Sequence, residues 1–549
     1  MRRISRDMLM VVIAAAGVSI VIYTTSAQSG VSSPAQKKPG ATPFSVCSQN
    51  VDIASLLPGG ANQDPDVADI NSFIDNTESN LIQQVSSATA LDQYQQITLL
   101  GKLAIYDKTL SPAKNIACAT CHVANAGFSG GCSVFNATVV AAPGAISVSN
   151  AVSPAPNSRL SGRKPQSYAY AAFAPILHYN TTQGDFYGGN FWDMRATGVR
   201  LSNPAAEQAQ GPPVNPLEMA NPDSACFVWK ISQGPYRSLV ETIWGSQSFA
   251  IKWPADIASV CGKPAPAPQS DPYPVHLSAL DRGLSNSTYD HITLSIASYE
   301  ASSDVSPFSS KFDAWLAGKA QLTPREKRGY ELFNGIAHCN QCHSSGTAVN
   351  GVVSQAAEVA PLFTDFTSAN LGLPRNLAQP FYCESKPDQY GYVANTQGLA
   401  YKDLGVGGML SGANNPNPQQ WRQLAPLFNG KFQVPTLRDV DMRPRPDFIK
   451  AYMHNGYLKS LKEVVHFYNT SRIFPRCAQG SAGEKVTCWP EPEVPENVTP
   501  KIGNLGLTNE QEDNIVLFLK TLTDGFVATP ATRRSGNLTL NGRRIYAHS

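Results

Sequence analysis

Cys118-Ala119-Thr120-Cys121-His122 has a second copy at Cys339-Asn340-Gln341-Cys342-His343, 221 positions further along the chain. Two cysteines separated by two residues, with a histidine directly after, form the attachment signature of a c-type haem. The spacing has a chemical reason: the two thiols form thioethers to the two vinyl groups of one haem, and the adjacent imidazole then reaches the iron. A thioredoxin-like redox pair does not need the trailing histidine. A zinc site would need its ligands at closer range than the two copies stand. The chain therefore reads as carrying two covalently bound c-type haems, held by Cys118, Cys121 and Cys339, Cys342, with His122 and His343 on the irons.

Each pentapeptide follows a helical segment. Thr98–Tyr106 is an apolar lead-in to the first. Thr323-Pro324-Arg325-Glu326 supplies an N-cap, a proline at the first helical position and an acidic first turn for the second. Helix followed by haem site, repeated, predicts a mainly α fold of two cytochrome c-like domains related by duplication. The 41 Gly and 41 Pro predict that it is rich in loops. We divide the chain into a leader or anchor at 1–27, a linker and N-terminal extension at 28–90 with a short helix near Val67–Val85, haem domains at 91–310 and 311–528, and a tail at 529–549. Ile515–Leu522 reads as the closing helix of the second domain.

A net charge of +2 with 15% charged residues gives no polyanion-binding surface, so nucleic acid is not an expected partner. Met1–Arg6 is basic, Met8–Tyr23 is apolar, and Thr25-Ser26-Ala27 offers a cleavage site. The run is either a cleaved signal peptide or an uncleaved inner-membrane anchor. Both readings export the chain to the periplasmic side. Seven cysteines lie outside the haem motifs, and an oxidising compartment should pair some of them. Cys477 with Cys488 and Cys226 with Cys261 are the plausible local bridges.

From Val123 to Gly162 there is no His, Met or Lys. Most strong sixth ligands are thus missing near the first haem, Cys132 being the one soft candidate. Either a distant residue such as His178 or Met194 folds back onto that iron, or the first haem is open and reactive.

Phe191-Trp192-Asp193-Met194-Arg195 and Asn215-Pro216-Leu217-Glu218-Met219 resemble motifs of the bacterial di-haem cytochrome c peroxidase and MauG family. So do Phe363–Asn376 and Asp403–Gly408, and the likeness extends over about 91–525. It implies that Trp192 lies between the haems and that Glu218 is the acid–base group over the open iron. Taken alone, Trp192 would be a core aromatic and Glu218 a helix-start carboxylate. The chain departs from the family at Met194, where relatives carry Gly, and by about six residues inserted before Glu207. At Lys164 relatives carry an Asn that contributes to a calcium site between the haems, so a calcium ion would have a cationic neighbour here.

In the better-known peroxidases of the family, a Met fourteen residues after the His of a His-Asp-Gly turn is the sixth ligand of the second haem. Counting from His454 reaches Tyr468, and MauG-like members carry Tyr there, so the resemblance is closer to that branch. His466 lies about 200° round the same helix and cannot face the iron together with Tyr468. Met453 is the alternative. The resemblance implies an oxidoreductase that reduces hydrogen peroxide at the open haem. Its electrons would come through the second haem from a small cytochrome c or cupredoxin. The alternatives are MauG-like oxidation of a partner protein, and a non-enzymatic electron-transfer cytochrome; an oxygenase acting on an organic polymer is a more remote one.

Overall fold

Asp92 caps the helix that leads into the first pentapeptide, its side chain accepting from Gln95 N while the Gln95 side chain accepts from Asp92 N. The structure is a computed structural model that describes residues 65–133, 136, 161–265, 271–345, 360–388 and 390–527, with the dipeptides 539–540 and 543–544. The leader or anchor expected at 1–27 lies outside the described residues. No described helix is long and apolar enough to cross a membrane.

The fold is mainly helical and loop-rich, as expected, and its strands are only two or three residues long. The helix expected near 67–85 is α1, Pro65–Val85, and α2 is Gln93–Tyr106. α1 is no loose extension: Ile70, Ile74 and Leu81 are buried in the same core as Leu99, Leu100 and Leu103 of α2. Asp66 at its start pairs with Arg445 and accepts from Ser133 N at 2.8 Å. The long helix α3, Ala279–Glu300, crosses α2 where Gly101 meets the carbonyl of Ser295 so closely that a methyl group would collide.

The second half repeats the device. α4, Pro324–Asn334, precedes the second pentapeptide behind a Thr323–Glu326 capping box. It crosses α6, Asn509–Lys520, where Gly329 abuts the carbonyl of Asn514. Between them in sequence runs α5, Leu461–Thr470. Phe312, Phe333, Phe363 and Phe518 pack edge-on in this second core.

Arg438 joins the halves. It is fully buried, binds Asp313 through two N–H bonds at 2.8 and 2.9 Å, and lies over the rings of Tyr170 and Phe308. Tyr170 in turn donates its hydroxyl to Asp524 at 2.5 Å. A smaller apolar cluster gathers the hairpin 178–187, Met194 and the helices Gly405–Ser411 and Ala425–Phe428. Both local disulfides expected from the sequence are formed, Cys226–Cys261 and Cys477–Cys488. Cys383 is also disulfide-bonded, and Cys132 is fully buried.

Candidate active site

The first pentapeptide forms one helical turn, Cys118–Cys121, closed by His122 N donating to Cys118 O at 3.1 Å. Residues three apart on such a turn share a face, which aims both thiols the same way. After the turn the chain reverses at Gly127, whose φ of +69° suits glycine. This brings the carbonyl of Phe128 to 3.1 Å from His122 Nδ1. A carbonyl only accepts, so Nδ1 carries the proton and Nε2 keeps its lone pair for a metal. Burial draws His122 down to about 4, which keeps the imidazole neutral, and the Tyr168 ring lies tilted against it at 5.2 Å.

A cavity opens beside Cys121 and His122, lined also by Arg163, Trp192, Arg195, Gln208, Asn215, Glu218 and Glu300. Neither distant ligand candidate reaches it. His178 lies on an exposed strand with its Nδ1 on Ile176 O, and Met194 is buried against Leu177, Phe186 and Phe428. His122 is the one histidine or methionine among the described residues lining this cavity. Asn215 shapes the acidic loop: its carbonyl oxygen accepts from Leu217 N at 3.0 Å, and its amide donates to Glu218 Oε1 at 2.5 Å. Burial raises the Glu218 carboxyl above its ordinary value, while Arg195 and the Asn215 bond oppose the rise.

The second pentapeptide borders another cavity, with His343 Nδ1 donating to Phe363 O at 3.0 Å. On α5, Leu461, Val464 and Tyr468 line it, the i, i+3, i+7 face of one helix. His466 points away, its Nδ1 at 3.0 Å from Glu512 Oε1. Met453 lines the same cavity as Tyr468. Burial and the nearby thiols of Cys342 and Cys339 raise the Tyr468 phenol above its ordinary value.

Each pentapeptide thus offers two thiols outside any disulfide and one neutral imidazole whose Nδ1 is the bonded nitrogen, the donor set a c-type haem needs, with Cys121 and His122 on the first cavity and Cys339, Cys342 and His343 on the second. Cys118, Cys121 and His122 would hold one such group, and Cys339, Cys342 and His343 the other.

Four residues, Lys164, Gln166, Ser167 and Trp192, line both cavities. Trp192 donates its indole N–H to Lys164 O at 3.0 Å, and its own carbonyl accepts from Gln433 N at 2.8 Å. Beside this wall, Arg163 binds Asp403 through two bonds, at 2.6 and 2.7 Å, and Asp193 at 2.7 Å, which holds the Asp403 carboxyl down to about 2. The wall does not fit a calcium ion. Lys164 Nζ occupies Ser129 Oγ and Pro165 O at 2.6 and 2.9 Å. A divalent ion 4 Å from an ammonium would be opposed by about 8 kcal/mol at an effective dielectric of 20. No cluster of three metal-ligating side chains occurs among the described residues.

Sequence reasoning assigned no role to Arg163, Asp403, His454 or Glu300. His454 is buried in the second cavity with its Nε2 unpartnered among the described residues. Glu300 ends α3 inside the first cavity, and burial pushes its carboxyl up to about 8.

Two helical cores, each with a cavity beside a Cys-x-x-Cys-His pentapeptide, give the chain the mainly helical architecture of a di-haem protein. Residues 95–321 match the family described as di-haem cytochrome c peroxidase. It is an oxidoreductase. The chain is 28% identical to the methylamine utilization protein MauG of Paracoccus denitrificans over 434 residues, covering 78% of this chain and 88% of that protein. It is 31% identical to the cytochrome-c peroxidase IdrP1 of Denitromonas iodatirespirans over 217 residues, 39% of this chain and 44% of that one. The crystal structure of the diheme peroxidase BthA from Burkholderia thailandensis superposes with a TM-score of 0.53 at 23% identity, over 78% of this chain and 86% of that one.

Proposed function

We propose that this chain reduces hydrogen peroxide in the first cavity with electrons delivered through the second, carrying two thioether-linked haems on the periplasmic side of the membrane. The observation that supports it is the asymmetry of the two cavities. The first has the carboxyl groups of Glu218 and Glu300 and no His or Met beyond His122 among its described lining residues, whereas the second is lined by Tyr468, Met453 and His454 besides its pentapeptide. Hydrogen peroxide takes two electrons and two protons to give two water molecules. The haems, when bound, supply the redox iron for that exchange.

Glu218 handles the protons. As a carboxylate it takes a proton from one oxygen of hydrogen peroxide and returns it to the other as that oxygen leaves as water. The Asn215 amide holds Oε1 in place, so the carboxylate keeps one orientation while Oε2 remains for the substrate. Trp192 spans the wall between the cavities and is the bridge for electrons. Tyr468 is the oxygen ligand offered to the second group, and a phenolate favours oxidised iron over reduced iron.

That last feature supports a second reading, in which oxidising equivalents are stored and then drawn from a partner protein, as a MauG-like enzyme would require. Two measurements decide. Cyanide titration of the ferric protein should find one open site; none would reduce the chain to an electron-transfer cytochrome. Fast steady-state peroxide turnover with reduced cytochrome c or a cupredoxin supports the peroxidase reading. Slow turnover with a long-lived oxidised state supports the partner-protein reading.

A further inference from the structure

We propose that the Lys164 side chain, seated on Ser129 and Pro165 in the wall between the two cavities, takes the place a metal cation would fill and makes Lys164 the positioning residue for Trp192. The proposal rests on reading both cavities as haem sites.

Three connections meet at this one residue. Its N–H donates to His454 O at 2.8 Å, which ties it to the second half of the chain. Its carbonyl accepts the Trp192 indole N–H, and its Nζ donates to Ser129 Oγ in the loop behind the first pentapeptide. The wall, the bridging tryptophan and both halves are therefore pinned through a lysine where an ion would otherwise gather the same loops.

A second buried amine reinforces the arrangement. Lys450 is 5% exposed and donates to Asp439 O at 3.1 Å and Met442 O at 2.9 Å. Gly127 packs against it so closely that a methyl there would come within 2.9 Å of Lys450 Nζ. Four oxygens here, Ser129 Oγ, Pro165 O, Asp439 O and Met442 O, are thus already accepting from lysine. Among the described residues neither lysine has a carboxylate within ion-pair distance. Lys164 lines both cavities and Lys450 only the second, so the protonated Lys164 amine is the charge that would stabilise a reduced iron over an oxidised one in each.

The test uses the holoprotein and begins with its metal content. We expect two iron atoms per chain, no stoichiometric calcium, and haem spectra and peroxide turnover unchanged by a calcium chelator. Two irons with one bound calcium, whose removal alters the spectra, would overturn this proposal alone. Fewer than two irons would overturn the haem reading beneath it. Potentiometric titration at pH 6, below the value of about 7 to which burial and Lys450 draw the Lys164 amine, supplies the second arm. Lys164→Met should lower both midpoint potentials and Lys164→Arg should restore them. Potentials in Lys164→Met equal to those of the wild type would overturn the assignment. If Lys164→Met fails to fold, the metal content of the wild-type protein still decides.

Discussion

The indole N–H of Trp192 is bonded to the backbone oxygen of Lys164 at 3.0 Å, and these two residues line both cavities. Trp192→Phe keeps an aromatic ring in the wall and removes only the donor. The orphaned carbonyl should cost ~1–3 kcal/mol of stability, read by chemical denaturation. Peroxide turnover at saturating electron donor should fall by about tenfold, equivalent to ~1.4 kcal/mol, while cyanide affinity of the first site stays unchanged. Equal losses of cyanide affinity and turnover would make Trp192 a packing residue.

Glu218→Gln preserves the shape of the loop and removes proton exchange. General acid–base groups contribute about 10²- to 10⁴-fold, so stopped-flow reaction with peroxide should slow by at least ~10². Burial raises the Glu218 carboxyl above its ordinary 4.5, and the base must be ionised to act. The rate should therefore climb with pH through a midpoint above 4.5, and that limb should vanish in the Gln variant. A wild-type rate in Glu218→Gln would remove the proton role.

Local features were legible in the chain because each announces itself over a few residues. The pentapeptides, the cap at Thr323, the helix near 67–85 and the disulfides Cys226–Cys261 and Cys477–Cys488 all follow from short spacings. Counting fourteen from His454 also put Tyr468 on the cavity face of α5 and His466 off it. The Arg163–Asp403 pair spans 240 positions, and nothing near either residue advertises the other. Glu300 reads in sequence as the polar end of a helix; its burial comes from α3 crossing α2 and ending inside the first cavity.

Tyr468→Met exchanges a phenolate oxygen for a thioether in the second cavity. Thioether ligation stabilises reduced iron, so the midpoint potential of the second haem should rise and its absorption spectrum should change. His466→Ala on another face of α5 should leave both unchanged, losing instead the contacts with Glu512, Val486 O, Phe474 and Trp489. An unaltered potential in Tyr468→Met would assign the ligand elsewhere, with Met453 the next residue to replace.

Arg163→Met leaves Asp403 in the wall without its guanidinium, while Asp193 keeps Arg195. Breaking a buried pair on one side costs about 3–5 kcal/mol, because the remaining charge has no compensation. In the wild-type protein the Asp403 carboxyl is held down to about 2, below its ordinary 3.8. Its contribution is present above 3.8 and disappears as pH falls through about 2. Acid unfolding should accordingly begin at higher pH in Arg163→Met, followed by circular dichroism. Identical acid transitions would mean that the network does not stabilise the fold.

Glu300 gives a dependence of the opposite sign. Burial alone pushes its carboxyl from 4.5 up to about 8. The folded chain then holds the proton more tightly than the unfolded one, so its contribution is complete below 4.5 and is lost as pH rises through about 8. At about 1.4 kcal/mol per unit the shift corresponds to ~5 kcal/mol. Glu300→Gln cannot ionise and should escape that loss. Its denaturation midpoint should match the wild type near pH 4 and exceed it progressively up to pH 9. A variant no more stable than the wild type at pH 9 would mean that the wild-type carboxylate finds a compensating charge in the first cavity.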